Sequence, residues 1–145
     1  MVRFNLILIL TLISCKVSQN ITQGIEGRII RMEGDRMPGI TRTAPAGKPV
    51  RCTVYIYSLT SQRDAVHHDG VFYDSIKTKM IKKVKSDDSG RFSVKLVSGK
   101  YSVFIKEANG MFANTIDGAG NINPVTVSDD RVTEMNIRID YKATY

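Results

Sequence analysis

The residue types that could do chemistry are few in this chain of 145 residues. His67, His68 and Asp69 are consecutive, and imidazole and carboxylate groups are common metal ligands. Consecutive side chains of an extended chain point in opposite directions, so one ion could bind only one of the two histidines without a special turn. The chain has no third histidine. We therefore expect a loop here, and no metal site.

A second candidate lies further along the chain, where Asp117, Asn121 and Asn123 carry oxygens with a spacing faintly like that of a calcium loop. This group has a single carboxylate, whereas the EF-hand pattern needs several. A Ser-His-Asp triad can be collected from the composition, but no G-x-S-x-G turn is present to position a nucleophile. The sequence therefore predicts no cofactor, no metal and no enzyme activity.

The N-terminus carries a different kind of chemistry. A basic residue precedes an apolar stretch of about eleven residues, too short to span a bilayer and typical of a signal peptide. Residues 12–15 resemble the bacterial lipobox, in which the cysteine is lipidated and becomes the first residue of the mature protein. We expect a signal peptide over residues 1–14, a lipid anchor on Cys15 and a polar tether over residues 15–23. Each buried methylene of the acyl chains would add about 0.8 kcal/mol of membrane affinity.

Two other fates of the N-terminus stay open. An ordinary secretory signal peptide cut near Ser18 and Gln19 would remove Cys15 and yield a secreted or periplasmic protein, and an uncleaved segment would be a membrane anchor. In the lipoprotein alternative, Lys16 follows the lipidated cysteine and replaces the aspartate that retains many lipoproteins in the inner membrane. The expected location is the cell envelope, with the outer membrane favoured.

The net charge of +7 at pH 7 could indicate a nucleic-acid partner, but an exported protein rarely meets nucleic acid, and we expect none. Five lysines do lie close together in the chain: Lys77, Lys79, Lys82, Lys83 and Lys85. On a strand they would occupy both faces. We interpret this run as a solvated sheet edge instead of a groove for a polyanion.

Cys52 is the only cysteine besides Cys15. If the lipid occupies Cys15, no intramolecular disulfide can form. Cys52 alternates with Val50, Val54 and Ile56, so we expect it in the core as a small hydrophobic residue and not as a reactive thiol.

Alternating apolar residues separated by turn signals predict an all-β chain of seven strands. Gly90 and Gly99 can adopt the positive φ of tight turns, and we expect the two strands that follow them to form a hairpin. Long connections over residues 33–49, 59–76 and 108–121 separate the other strands. The predicted strands are residues 24–31, 50–58, 77–85, 91–96, 100–107, 122–128 and 132–141.

The block from Asp88 to Tyr101 contains a polar turn, G-x-F, a strand, G-x-Y and another strand, and it resembles the hallmark of carboxypeptidase regulatory-like domains. Gly27 and residues 47–50 add weaker matches. The resemblance covers residues 24–141. It implies one domain over residues 24–145 with a seven-stranded, transthyretin-like (prealbumin-like, Greek-key) β-sandwich and no active site of its own.

Relatives of that fold with covalent chemistry differ from this chain. Hydroxyisourate hydrolases end in a Tyr-Arg-Gly-Ser tail, which residues 141–145 do not match. Adhesin modules with Lys-Asn isopeptide bonds need a lysine in the first strand and an inward acid in the G-x-Y strand. Here the first strand has Arg28, and Glu107 lies close to the end of its strand. The resemblance therefore implies neither reaction.

Aromatic residues are the remaining candidates for ligand contact. Tyr55 and Tyr57 alternate away from Cys52, and Tyr73 and Phe112 lie in the two long connections. Such rings could stack on sugars or anchor a protein partner, or they could hold the connections onto the core. Ser75, within an acidic-Ser-aliphatic motif, resembles acceptors of O-glycosylation in some Gram-negative envelopes.

The sequence as a whole predicts a non-catalytic cell-envelope lipoprotein whose domain is a structural or protein-docking module. The alternative is a carbohydrate-binding module, as in starch-binding relatives with this carbohydrate-binding-like fold. Co-planar exposed aromatic rings would favour a carbohydrate ligand. A flat apolar patch at a sheet edge would favour a protein partner.

Overall fold

The computed structural model describes residues 20–37 and 46–145. The predicted signal peptide, the lipidation site Cys15 and most of the predicted tether lie outside the described residues. The described chain forms two β-sheets that share one hydrophobic core, which confirms the all-β sandwich.

Twelve strands make up the two sheets, joined by turns, loops and one short 3₁₀ turn at Gln62–Asp64. In chain order they are β1 (Gly24–Asp35), β2 (Lys48–Pro49), β3 (Thr53–Ser58), β4 (Ala65–Asp69), β5 (Phe72–Ile76), β6 (Met80–Lys85), β7 (Arg91–Lys95), β8 (Gly99–Glu107), β9 (Gly110–Phe112), β10 (Pro124–Val127), β11 (Val132–Glu134) and β12 (Ile137–Thr144). Within residues 20–37 and 46–145, no helix has the length and apolar character needed to cross a membrane.

The first sheet is organised around β1, which has 12 residues and is long enough to pair with four strands. Its first half pairs with β7 in antiparallel orientation and with β11 in parallel orientation. Its second half pairs with β2 in antiparallel orientation and with β12 in parallel orientation. The second sheet has the order β4-β5-β9-β8-β3-β6, and β10 pairs with β8 beside β9. β8 is the central strand of this sheet.

The core lies between the two sheets, where alternate residues of each strand point inward. The first sheet contributes Phe92 and Val94 of β7, and the second contributes Tyr101, Val103 and Ile105 of β8. The predicted hairpin between these two strands is wrong, because β7 pairs with β1 and β8 pairs with β3, β9 and β10. The chain crosses from one sheet to the other, so the two apolar rows face each other across the core.

The strand count also differs from the predicted seven. Four of the extra strands, β2, β4, β5 and β9, come from segments that we expected to be loops, and the expected last strand is divided into β11 and β12. The physical reason is clearest in β4, where exposed polar residues at a sheet edge leave no apolar alternation to detect. The register of β4 on β5 also shifts twice, which breaks the period further.

Candidate functional site

The two long connections, residues 59–76 and 108–121, contribute strands β4, β5 and β9 to the second sheet, in which β5 pairs with β9. Apolar residues in and beside these connections join residues of β3 and β8 in a second hydrophobic cluster, which we call the outer cluster. Its buried members are Tyr73, Phe104, Ala113 and Ile122. Single β-bridges between Ser61 and Asn121 and between Ile116 and Ile122 help to hold the connections in place. These connections, which are the candidate segments for recognition, are therefore largely used to build the fold.

Tyr73 and Phe112, the candidate ligand contacts in these connections, are both buried, with 4% and 0% of their surface exposed. Tyr73 packs edge-on against Phe104 in the outer cluster at a ring separation of 5.7 Å. Phe112 packs in the main core beside Phe72 and Tyr141. This burial favours the alternative that the two rings hold the connections onto the core, and a ligand contact at Tyr73 or Phe112 stays a prediction.

Tyr55 and Tyr57 do lie on the outer face of the second sheet, as predicted, but both are half-buried. Tyr57 packs edge-on against Phe104 at 5.6 Å, and burial raises the pKa of its hydroxyl. Neither ring belongs to a co-planar exposed pair in the part of the chain that the structure describes. The feature that would favour sugar stacking is not found on these strands.

The two histidines have separate hydrogen-bond partners. His67 Nε2 lies 2.6 Å from the carbonyl oxygen of Gly70, and His68 Nδ1 lies 3.2 Å from Asp74 Oδ2. Among the described residues, no three His, Cys, Asp or Glu side chains are grouped closely enough to hold a metal ion. Ser75, the residue of the glycosylation-like motif, is exposed in β5.

The carboxylate of Asp117 accepts hydrogen bonds from groups within its own loop. Its Oδ1 accepts from the backbone N–H groups of Ala119 and Asn121 at 2.9 and 2.8 Å, and its Oδ2 accepts from the side-chain amide of Asn121 at 2.9 Å. The Asn121 side chain and these backbone donors lower the pKa of Asp117. The carboxylate therefore closes a turn, and its oxygens are already engaged.

Three aspartates share this pattern, so we expect acid to destabilise the fold through its turns. Hydrogen bonds from Ser61, Ser89 and Asn121 side chains are the largest causes that lower the pKa values of Asp64, Asp87 and Asp117, respectively. An aspartate whose pKa is lower in the folded state than in the unfolded state stabilises the fold at pH values above its unfolded-state pKa, about 3.9. This stabilisation is lost as the pH falls through the folded-state pKa.

The pH dependence can be tested at Asp87, whose Oδ1 accepts from Ser89 and Arg91. Asp87→Asn should be less stable than the wild type at pH 7, and the difference should narrow as pH falls through the folded-state pKa of Asp87. Urea denaturation at pH 7 and at a pH below about 3 would measure this. Asp129→Asn, at an exposed position before β11, is the control. A difference between Asp87→Asn and wild type that is equal at both pH values would contradict the assignment.

A partly buried ionic contact joins the two sheets. Arg31 of β1 donates to Glu107 Oε1 of β8 at 2.6 Å, and the hydroxyl of Tyr141 in β12 donates to Glu107 Oε2 at 2.9 Å. Glu107 therefore contacts both the first strand, β1, and the last strand, β12, although it lies at the end of β8. Its partners are an arginine and a tyrosine, so the contact is a non-covalent clamp and lacks the lysine and asparagine of an isopeptide bond.

Cys52 packs against the main core, as its alternation predicts, and it is half-buried. Its Sγ lies 3.7 Å from Ser86 Oγ, and burial raises the pKa of the thiol. A raised pKa keeps the group protonated at neutral pH, so the thiolate needed for reactivity is disfavoured.

A small cavity of about 190 Å³ lies beside β12, and its lining includes the polar residues Asn114, Arg138 and Asp140. The Asn114 side-chain amide donates to the Arg138 carbonyl and to Asp140 Oδ1 at 3.1 and 3.0 Å. Ligand pockets usually enclose about 300–1,000 Å³. This cavity is smaller, and part of its polar lining is already paired.

The remaining candidate surface is the free edge of the second sheet, which we call the β6 edge and define as Met80–Lys85. In the described chain β6 pairs with β3 alone. Met80 and Ile81 expose 46% and 37% of their surface, respectively. Ile81 is also an extra residue in the pairing, because Lys82 lies opposite Ile56 whereas Met80 lies opposite Tyr57.

The lysines of this edge point to different sides. Lys82 lies opposite the core residue Ile56, and its ammonium group donates to the Lys95 carbonyl of the first sheet at 2.8 Å. Lys83 and Lys85 lie opposite Tyr55 and Thr53 and are exposed. The β6 edge therefore combines an unpaired backbone, two exposed apolar side chains and positive charge on both faces.

The chain matches no protein-family model, no curated protein and no solved structure. Its membership of the carboxypeptidase regulatory-like family therefore stays a prediction from the Asp88–Tyr101 block.

Proposed function

We propose that this protein is a non-catalytic lipoprotein of the cell envelope, anchored through Cys15, whose carboxypeptidase regulatory-like sandwich docks another protein. The observation that carries the docking function is the β6 edge, where Met80 and Ile81 are exposed beside a strand with no second neighbour among the described residues. An added strand gains affinity from hydrogen bonds to the unpaired main chain of such an edge and specificity from contacts with its exposed side chains.

The lipid anchor is supported by residues 12–15 and by the small-residue-then-thiol order that lipid transfer requires. We expect the full chain, produced in bacteria fed an alkyne fatty acid, to carry the label on Cys15. Cys15→Ala should lose the label, whereas the matched variant Cys52→Ala should keep it, because Cys52 lies inside the domain. An unlabelled wild-type protein with an N-terminus beyond Cys15 would contradict the anchor and support the secreted alternative.

The docking function is tested by placing a photo-crosslinking residue at Ile81 in the full chain, in cells that naturally express it. Val97, which is also exposed but follows β7, is the control position. We expect a discrete adduct with an envelope protein, identified by mass spectrometry, from Ile81 and not from Val97. Equal crosslinking from both positions, or adducts with glycans instead of protein, would contradict protein docking at this edge.

A further inference from the structure

We propose that the β6 edge accepts an extended, acidic segment of the partner protein as an added antiparallel or parallel strand. This inference rests on the docking function proposed above and specifies the chemistry of the partner. Three features of the described residues carry it: the direction of the free backbone groups, the charge of the strand and the placement of its apolar side chains.

The backbone groups that face away from β3 belong to Lys83 and Lys85. The Ser86 N–H donates to the Cys52 carbonyl at 3.0 Å, so Ser86 faces β3. In an antiparallel strand, the backbone groups of alternate residues bond to the same neighbour, so those of Val84 and Lys82 also face β3. The backbone groups of the intervening residues face outward. The outward N–H and C=O groups of Lys83 and Lys85 can therefore pair with one more strand.

The positive charge of β6 favours an acidic segment of the partner protein. Lys82, Lys83 and Lys85 lie within β6, which contains no acidic residue. The nearest acids in sequence are already engaged: Asp87 accepts hydrogen bonds within its own turn, and Asp88 pairs with Arg51 at 2.7 Å. An added strand with glutamate or aspartate opposite the lysines would gain cross-strand charge pairs.

The same charge argues against a second copy of this chain as the occupant. Pairing two β6 strands would place lysines opposite or diagonal to lysines, which is unfavourable. The inward Lys82 and the bulge at Ile81 are further features that protect natural sheet edges from self-association. An acidic strand meets no such repulsion, and Met80 and Ile81 offer it apolar contact at the end of the edge.

The probe for the test is a fluorescent ten-residue peptide of alternating glutamate and valine, titrated into the full-length protein in detergent. We expect saturable binding that weakens about tenfold in Lys83→Gln/Lys85→Gln. The matched variant Lys48→Gln/Lys142→Gln removes the same charge from the first sheet and should bind within about twofold of wild type. An equal loss in both double variants would show non-specific charge attraction and overturn the proposal.

Two further measurements separate strand addition from simple charge attraction. The same peptide with N-methyl groups on all of its amides keeps its charge but loses the backbone hydrogen-bond donors of both edges, and we expect it to bind at least about tenfold more weakly. Lys83→Pro removes one outward N–H of the edge strand and should bind the parent peptide more weakly than Lys83→Gln. If Lys83→Pro fails to fold, the N-methyl peptide still decides the question.

Competitors define the remaining outcomes. Dextran sulfate or vesicles with anionic lipid that bind as tightly as the peptide, with the same dependence on Lys83 and Lys85, would overturn the proposal and assign the edge to a polyanion or membrane surface. Absence of peptide binding together with a specific protein adduct at Ile81 would overturn the acidic-strand inference and leave protein docking in place. Absence of both would overturn both proposals.

Discussion

Phe112→Ala is expected to lower the free energy of unfolding by about 3–5 kcal/mol, and Tyr73→Ala by a comparable amount. Phe112 has no exposed surface and packs with Phe72 and Tyr141, whereas Tyr73 packs in the outer cluster against Phe104. Each truncation leaves a cavity in a different part of the fold. Because small domains are stable by only about 5–15 kcal/mol, the double variant should be largely unfolded near physiological temperature.

The measurement is urea denaturation of the single variants, with Tyr145→Ala as the matched control. Tyr145 exposes 67% of its surface, so its truncation should change stability by no more than about 0.5 kcal/mol. If Tyr73→Ala and Phe112→Ala instead melt like the wild type, the two rings are not structural. The alternative that they contact a ligand would then be favoured.

Period-two alternation predicted most strands, because alternation is a property of a single segment. β1, β3, β6, β7, β8 and β10 were all located within a few residues. The pairing of β7 with β1 could not be predicted in this way, because a row such as Phe92 and Val94 faces the same core whether its strand joins one sheet or the other. The partner is decided by packing between distant segments.

The candidate site was predicted less well for the same reason. The burial of Tyr73 depends on Phe104 and Ile122, which are separated from it by many residues in the chain. No local pattern in residues 59–76 indicates that a later connection will cover them. By contrast, the exposure of Lys83 and Lys85 follows from their own charge, and their run was predicted to be a solvated edge.

Gly90 is the local feature whose conformation the sequence did predict. Its φ is +76°, as expected for the turn before β7, and its carbonyl accepts a hydrogen bond from Ile29 of β1 at 2.8 Å. A side chain at this position would also overlap β1, because an added Cβ would lie 2.4 Å from the Ile29 carbonyl oxygen. Two separate costs, backbone strain and steric overlap, therefore act at one residue.

Gly90→Val should consequently destabilise the sandwich by about 2–6 kcal/mol, the combined effect of strain at positive φ and overlap with backbone. Gly120 isolates the first effect: its φ is +83°, and an added Cβ would meet no atom within 4 Å. Gly120→Val should therefore cost only about 1–3 kcal/mol in urea denaturation. If Gly90→Val and Gly120→Val lower the free energy of unfolding equally, Gly90 does not pack closely against β1. The turn at Gly90 would then not be what positions β7 beside β1.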